Sequence, residues 1–171
     1  LWSKEVASAD ALCAANVVTV SDLGYIYAVT GDGVLVALDA AGEVAWEYDA
    51  AAQDKVLLTK EIAYASVDAD GTVYWAAHAY GDKNAVPTVY AFDGTSGSVL
   101  WKNQTAYVSG DRIAYSTPCI TPEMLVVGNR GTSGMLRRFD KASGRNTATV
   151  KPASGGISAA SIVLKNGAAV Y

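Results

Sequence analysis

Few residues of this chain have types and spacings that could do chemistry. Asp68, Asp70 and Gly71 stand in the order Asp-x-Asp-Gly. That is how a calcium-binding loop opens, alternate carboxylates supplying oxygen ligands and the glycine a sharp turn. The third acidic ligand and the distal glutamate are missing, so a plain turn is the expectation. His78, the single histidine, lies in the aromatic stretch 74–80, YWAAHAY. A titratable ring there could meet a ligand, but no Asp or Ser accompanies it at triad spacing, so a loop histidine is expected. Cys13 and Cys119 are the only cysteines. Without Cys-x-x-Cys spacing they argue against zinc, and an even count permits one disulfide without predicting it. Arg137 and Arg138, with Arg130 and Lys141 nearby, form the one basic cluster. Adjacent strand residues point to opposite faces, so the pair does not make one patch. Asn103-Gln104-Thr105 is a glycosylation sequon, expected in a loop and a hint of secretion. No catalytic residue and no metal site is assigned.

The elements that would carry these residues are short strands. Helical periodicity is almost absent; alternating β-rich runs bounded by Gly, Asp, Asn and Ser recur instead. The best-formed unit is 88–102, TVYAFDGTSGSVLWK, a strand, a tight turn and a second strand ending in Trp101. A copy at 34–47, VLVALDAAGEVAWE, is one residue shorter in the turn, and a weaker one runs over 135–150, MLRRFDKASGRNTATV. In that third copy Thr147 is expected where the others carry Trp. The turns beginning at Val20, Val67, Ile120 and Val163 align without gaps, separated by 47, 53 and 43 positions.

Periods in the forties with four strands each are the signature of β-propeller blades, since solenoid units of this length are helical. The expected class is therefore all-β, built of four-stranded antiparallel blades over about 16–48, 61–103 and 113–150. A fourth starts at 157–171, and Leu1-Trp2 closes a preceding one. Residues 49–60 read as a connector. The ends fall inside expected strands, so the chain is read as about three and a half blades of a larger ring, with two copies closing one ring as the next choice.

Composition narrows the function classes. Hydrophobic types make up 51% and charged types 18% of the 171 residues, which excludes disorder. Net charge is −4 and the Lys and Arg are scattered, so nucleic acid is not an expected partner. Apolar runs of four to six residues fall far short of the ~20 a membrane span needs. Leu1 is followed at once by Trp2, Lys4 and Glu5, unlike a signal peptide.

Ala91-x-Asp93, Gly97 and Trp101 resemble the tryptophan-docking repeat of the PQQ-type (quinoprotein-like) β-propellers. Ala37-x-Asp39, Gly42 and Trp46 resemble its shorter version in outer-membrane assembly propellers of the BamB type. Asp140 and Gly144 repeat part of it. The resemblance covers almost the whole chain and implies rings of about seven or eight blades, with a structural motif that girdles the ring. Asp can cap the turn, Gly can take positive φ, and Trp can pack on the next blade. The function this implies is a non-catalytic scaffold, extracytoplasmic, binding a protein partner or further blades and needing no cofactor. The longest insertion, with His78, Tyr80, Asp82, Lys83 and Asn84, together with Tyr107, is the candidate contact loop. The alternative is part of a quinoprotein dehydrogenase whose catalytic residues lie outside this chain, the whole enzyme holding PQQ and Ca²⁺. The adjacent cysteines common in those enzymes are absent here, and no base or calcium set maps onto a matching motif.

Overall fold

A computed structural model describes residues 2–6, 18–54, 56, 64–77, 86–104, 114–130, 135–150, 162–163 and 169–170. These residues are almost all β. The strands β1 (Thr19–Val20), β2 (Ile26–Val29), β3 (Val34–Leu38) and β4 (Val44–Asp49) form sheet 1, antiparallel and in sequence order. A five-residue helix, α1 (Ala50–Asp54), follows. Sheet 2 repeats the order with β5 (Ser66–Val67), β6 (Thr72–Ala77), β7 (Thr88–Asp93) and β8 (Val99–Gln104). Sheet 3 contains β9 (Ala114–Tyr115), β10 (Cys119–Ile120), β11 (Met124–Arg130), β12 (Met135–Asp140) and β13 (Asn146–Val150). Its main path runs β10 to β13, and β9 pairs with the far end of β11. A last pair, β14 (Ile162–Val163) with β15 (Ala169–Val170), opens the same pattern again. Open four-stranded meanders repeated in this way are blades of a partial propeller.

Sheet 2 shows why these sequences form blades. Its middle strands, TVYWAA and TVYAFD, are apolar at nearly every position because both faces are buried. Val73, Trp75, Ala77, Tyr90 and Phe92 pack on Leu35, Ala37, Trp46 and Tyr48 of sheet 1. The alternate residues Tyr74, Ala76, Val89 and Ala91 pack on Leu125, Val127 and Phe139 of sheet 3. Period-two alternation thus gives two apolar faces, each filled by a neighbouring blade. Side-chain bonds join the first strands of successive sheets. Thr19 Oγ1 donates to the Ala65 carbonyl at 2.6 Å, and Ser66 Oγ to the Pro118 carbonyl at 2.6 Å.

Two readings of the sequence need correction. The stretch 49–60 is not wholly a connector, since Asp49 Oδ1 accepts the Ala52 N–H at 2.8 Å and starts α1. The residue of the third hairpin that stands where the others have Trp is Ala148, not Thr147. Ala37 pairs with Trp46, Ala91 with Trp101 and Arg138 with Ala148. Each fourth strand carries a bulge just before that pair, and Thr147 is the bulged residue of sheet 3.

Candidate functional site

The repeated motif builds the joints between blades. In sheet 2 the chain reverses between β7 and β8 around Asp93, whose Oδ1 accepts the N–H groups of Thr95 at 3.1 Å and Ser96 at 2.8 Å and the Ser96 hydroxyl at 2.9 Å. The Ser96 backbone and hydroxyl bonds together hold the Asp93 carboxyl below its usual range. Gly97 then turns the chain at φ +72°. On this turn lies Trp46 of sheet 1, donating its Nε1–H to the Gly94 carbonyl at 2.8 Å. A Cβ on Gly97 would come within 2.6 Å of the indole ring, so only glycine allows both the turn and the close approach. The ring also stacks on Phe92, centroids 5.9 Å apart.

The same joint recurs on either side. Trp101 of sheet 2 lies over Gly144 and donates to the Lys141 carbonyl at 2.7 Å. Asp140 Oδ1 accepts the Ser143 N–H at 2.8 Å and hydroxyl at 2.6 Å. Trp2 lies over Gly42 and donates to the Ala40 carbonyl at 3.2 Å, while Asp39 Oδ1 takes the N–H groups of Ala41 and Glu43, each at 2.9 Å. Lys4 adds an exposed ion pair with Glu43 at 2.9 Å. Ala37 and Ala91, each opposite an indole in the ladder, are fully buried. Sheet 3 carries Ala148 in the indole position, with Arg138 opposite.

A second polar cluster, which no motif of the sequence marks, lies between sheets 1 and 2. Asp54, at the end of α1, has a side chain only 3% exposed. It accepts the Tyr48 hydroxyl at 2.6 Å and the Tyr90 hydroxyl at 3.0 Å on Oδ2. The Lys102 ammonium and, at 3.5 Å, the Gln104 amide reach Oδ1. Burial pushes the Asp54 carboxyl up, but the bonds from Lys102, Tyr48 and Tyr90 outweigh it and leave the group below its ordinary value. Burial and the Asp54 charge drive both phenols well above theirs. The arrangement is a charged clasp, with four side chains donating to one carboxylate. The N-cap run Asp-Ala-Ala-Ala at 49–52 was the one local signal that a helix lay there.

The remaining sequence candidates fall as follows. Asp68 to Gly71 form a turn, with Gly71 at φ +85° and its N–H on the Asp68 carbonyl at 2.9 Å. Asp68 pairs with Lys141 of sheet 3, and Asp70 Oδ1 accepts the Thr72 N–H at 2.9 Å. Asn103, expected in a loop, lies within β8 and donates its Nδ2 to the Gly144 carbonyl at 2.9 Å. The nitrogen a glycan would need is therefore part of the joint to sheet 3. Cys119 is a free, half-buried thiol packed near Val126 and Leu136. Cys13, His78, Tyr80, Asp82, Lys83, Asn84 and Tyr107 lie outside the described residues.

A family profile described as outer membrane protein assembly factor BamB matches residues 1–147. The crystal structure of BamB from Moraxella catarrhalis is 21% identical with a TM-score of 0.61, over 84% of this chain and 41% of that one. The quinohemoprotein alcohol dehydrogenase ADHIIG from Pseudomonas putida HK5 is 20% identical with a TM-score of 0.59, over 75% of this chain and 19% of that one. A protein of unknown function from Bacteroides caccae is 18% identical with a TM-score of 0.59, over 89% of this chain and 50% of that one. The chain therefore spans half or less of each of these structures. No curated protein sequence matches it.

Proposed function

Because the chain belongs to the family of outer membrane protein assembly factor BamB, a family of PQQ-type propellers, we propose that it is a non-catalytic scaffold. In this reading its blades bind a protein partner outside the cytoplasm, and the ring is completed by further blades of the same propeller or by a second copy. The observation that supports it is how the repeated motif is used. The indole N–H groups of Trp46 and Trp101 go to carbonyls of the next sheet, and the Asp93 and Asp140 carboxylates go to their own turns. No helix among the described residues is long and apolar enough to cross a membrane. BamB is named as an assembly factor, which favours a polypeptide over a small molecule as partner.

The second reading, part of a quinoprotein dehydrogenase, draws on the likeness to the Pseudomonas putida enzyme. In this reading the residues that hold PQQ and Ca²⁺ lie on blades outside this chain. Among the described residues no group of three or more His, Cys, Asp and Glu converges. The two least exposed carboxylates in ion pairs, Asp54 and Asp68, already face Lys102 and Lys141. The described donor set does not fit the cofactor pair, and no step of quinone chemistry is derived from it.

Photo-crosslinking tests the scaffold. A benzophenone side chain at exposed Leu100 on β8 is expected to capture a discrete polypeptide, saturably and in competition with unlabelled chain. Absence of any saturable capture, or alcohol-driven dye reduction by the chain supplied with PQQ and Ca²⁺, would overturn the proposal.

A further inference from the structure

Between sheets 1 and 2 the aromatic side chains form one continuous file. Tyr25, half-buried just before β2, stacks on Tyr27 with centroids 6.4 Å apart, and Tyr27 lies 5.9 Å from Trp46. Phe92 follows at 5.9 Å from Trp46 and meets both Tyr48 at 5.0 Å and Tyr90 at 5.4 Å. Tyr48 and Tyr90 touch edge to face at 5.5 Å. Trp46 and Tyr48 are also two residues apart on one face of β4, about 7 Å along the strand, so Phe92 does not break the file. From Tyr27 inward every ring is at most 9% exposed.

The rings differ in where their polar hydrogens go. The Trp46 Nε1–H and the Tyr27 hydroxyl both donate to the Gly94 carbonyl, at 2.8 and 3.2 Å. An amide carbonyl is too weak a base to take the proton. Tyr48 and Tyr90 instead donate to Oδ2 of Asp54, at 2.6 and 3.0 Å, a carboxylate that can. A phenol that has lost an electron is a strong acid, and a positive ring in an apolar core is costly. Passing the proton along the existing hydrogen bond cancels that charge against the carboxylate. Lys102, whose side chain is 44% exposed, keeps its own charge in water.

We propose that this file is a one-electron relay, with Tyr48 and Tyr90 as its terminal electron donors and Asp54 as the proton acceptor. Its substrate class is a one-electron oxidant, a metal-centred or organic radical, that meets the file at Tyr25. The oxidant gains one electron, drawn through Tyr27 and Trp46. Tyr48 or Tyr90 replaces that electron, its hydroxyl proton crosses to Asp54, and a neutral phenoxyl radical is left beside a carboxylic acid. The O–H bond is the one that breaks, and an O–H bond on Asp54 forms. A one-electron reductant such as ascorbate then returns the electron, while Asp54 returns the proton to the phenol oxygen. The relay stands apart from the scaffold reading and holds whichever partner the blades bind.

The test uses the whole chain with photogenerated tris(bipyridine)ruthenium(III) as the oxidant, followed by transient absorption and electron paramagnetic resonance. A tryptophan radical that decays into a tyrosyl radical is the expected sequence. The decay should slow severalfold in deuterium oxide because the phenol proton moves with the electron, and this readout needs no variant to fold. The deuterium-sensitive tyrosyl phase should be lost in Asp54→Asn and in the double variant Tyr48→Phe, Tyr90→Phe. Trp46→Phe should slow its appearance severalfold, whereas Trp101→Phe, in the joint to sheet 3, should leave it unchanged. Near-ultraviolet circular dichroism checks that each variant keeps its packing. Equal rates in water and deuterium oxide, or a tyrosyl phase that survives in Asp54→Asn or in the double variant, would overturn the relay. So would a phase that appears as fast in Trp46→Phe as in wild type, since the oxidant would then be reaching a tyrosine directly.

Discussion

The indole of Trp46 and the carbonyl of Gly94 close the joint between sheets 1 and 2, with 2.8 Å from Nε1 to oxygen. The bond fixes the ring over the Gly97 turn, and the ring in turn excludes any side chain from residue 97. One repeat thus supplies a plate and the next repeat the slot that fits it.

That slot can be tested at the glycine. Gly97 and Gly24 both turn at positive φ, +72° and +84°, and both should pay the cost of left-handed backbone on substitution by alanine, about 1–2 kcal/mol. Nothing lies within 4 Å of the Cβ that Gly24→Ala would add, whereas Gly97→Ala drives one into Trp46. Urea unfolding should therefore show Gly97→Ala to be the more destabilising by roughly 1–3 kcal/mol. Equal losses would mean that the ring yields freely.

The clasp on Asp54 makes stability depend on acid. Its carboxyl lies below the ordinary 3.8 in the fold. Its contribution is therefore complete above that value and is lost as pH falls through the lower, folded value. In Asp54→Asn the urea midpoint should be lower than wild type near neutrality, and the gap should narrow below about pH 4. A gap that stays constant into acid would show that the charge contributes nothing.

The same clasp acts in the opposite sense on the alkaline side. Tyr48 and Tyr90 are raised above their ordinary 10.0 by burial and by Asp54, and Tyr74 is pushed up to about 12, chiefly by burial. Their stabilisation is complete below 10.0 and is lost as pH rises toward the folded values, because only the unfolded chain releases the protons. Wild type should lose stability above about pH 10, and Tyr48→Phe should lose it less steeply. A phenol that titrates at its ordinary value in the folded protein, followed by ultraviolet absorbance, would contradict this.

How much could be read beforehand follows from the range of each interaction. Asp93, Gly97 and Trp101 lie within one hairpin, and their spacing carries the turn, so the blade pattern was legible. The third hairpin has no indole to mark the ladder, so its spacing alone leaves the docking position ambiguous by one residue. Measured from glycine, the interval Gly97 to Trp101 places Ala148, not Thr147, at the docking position. Asp54 reads as part of a connector, since its partners Tyr48, Tyr90 and Lys102 come from three strands and meet it only after the blades pack. Asn103 stands at the expected end of the second blade while its sequon suggests a loop, and β8 runs on through it to Gln104.

The bonds joining first strands make a further prediction. Thr19→Val and Ser66→Ala each remove a 2.6 Å bond to a carbonyl of the next sheet. Each should cost about 1 kcal/mol in urea unfolding. The two bonds lie in different joints, so the double variant should lose close to the sum. A double variant no weaker than either single one would show that these bonds do not hold the blades independently.

The central claim is that the repeated tryptophan holds blades together. Equilibrium unfolding of Trp46→Ala tests it most directly, with Trp2→Ala as reference because Trp2 is 45% exposed. Loss of about 3–5 kcal/mol at Trp46, with a clearly smaller loss at Trp2, is the predicted result. Unfolding midpoints that leave Trp46→Ala level with wild type would contradict it.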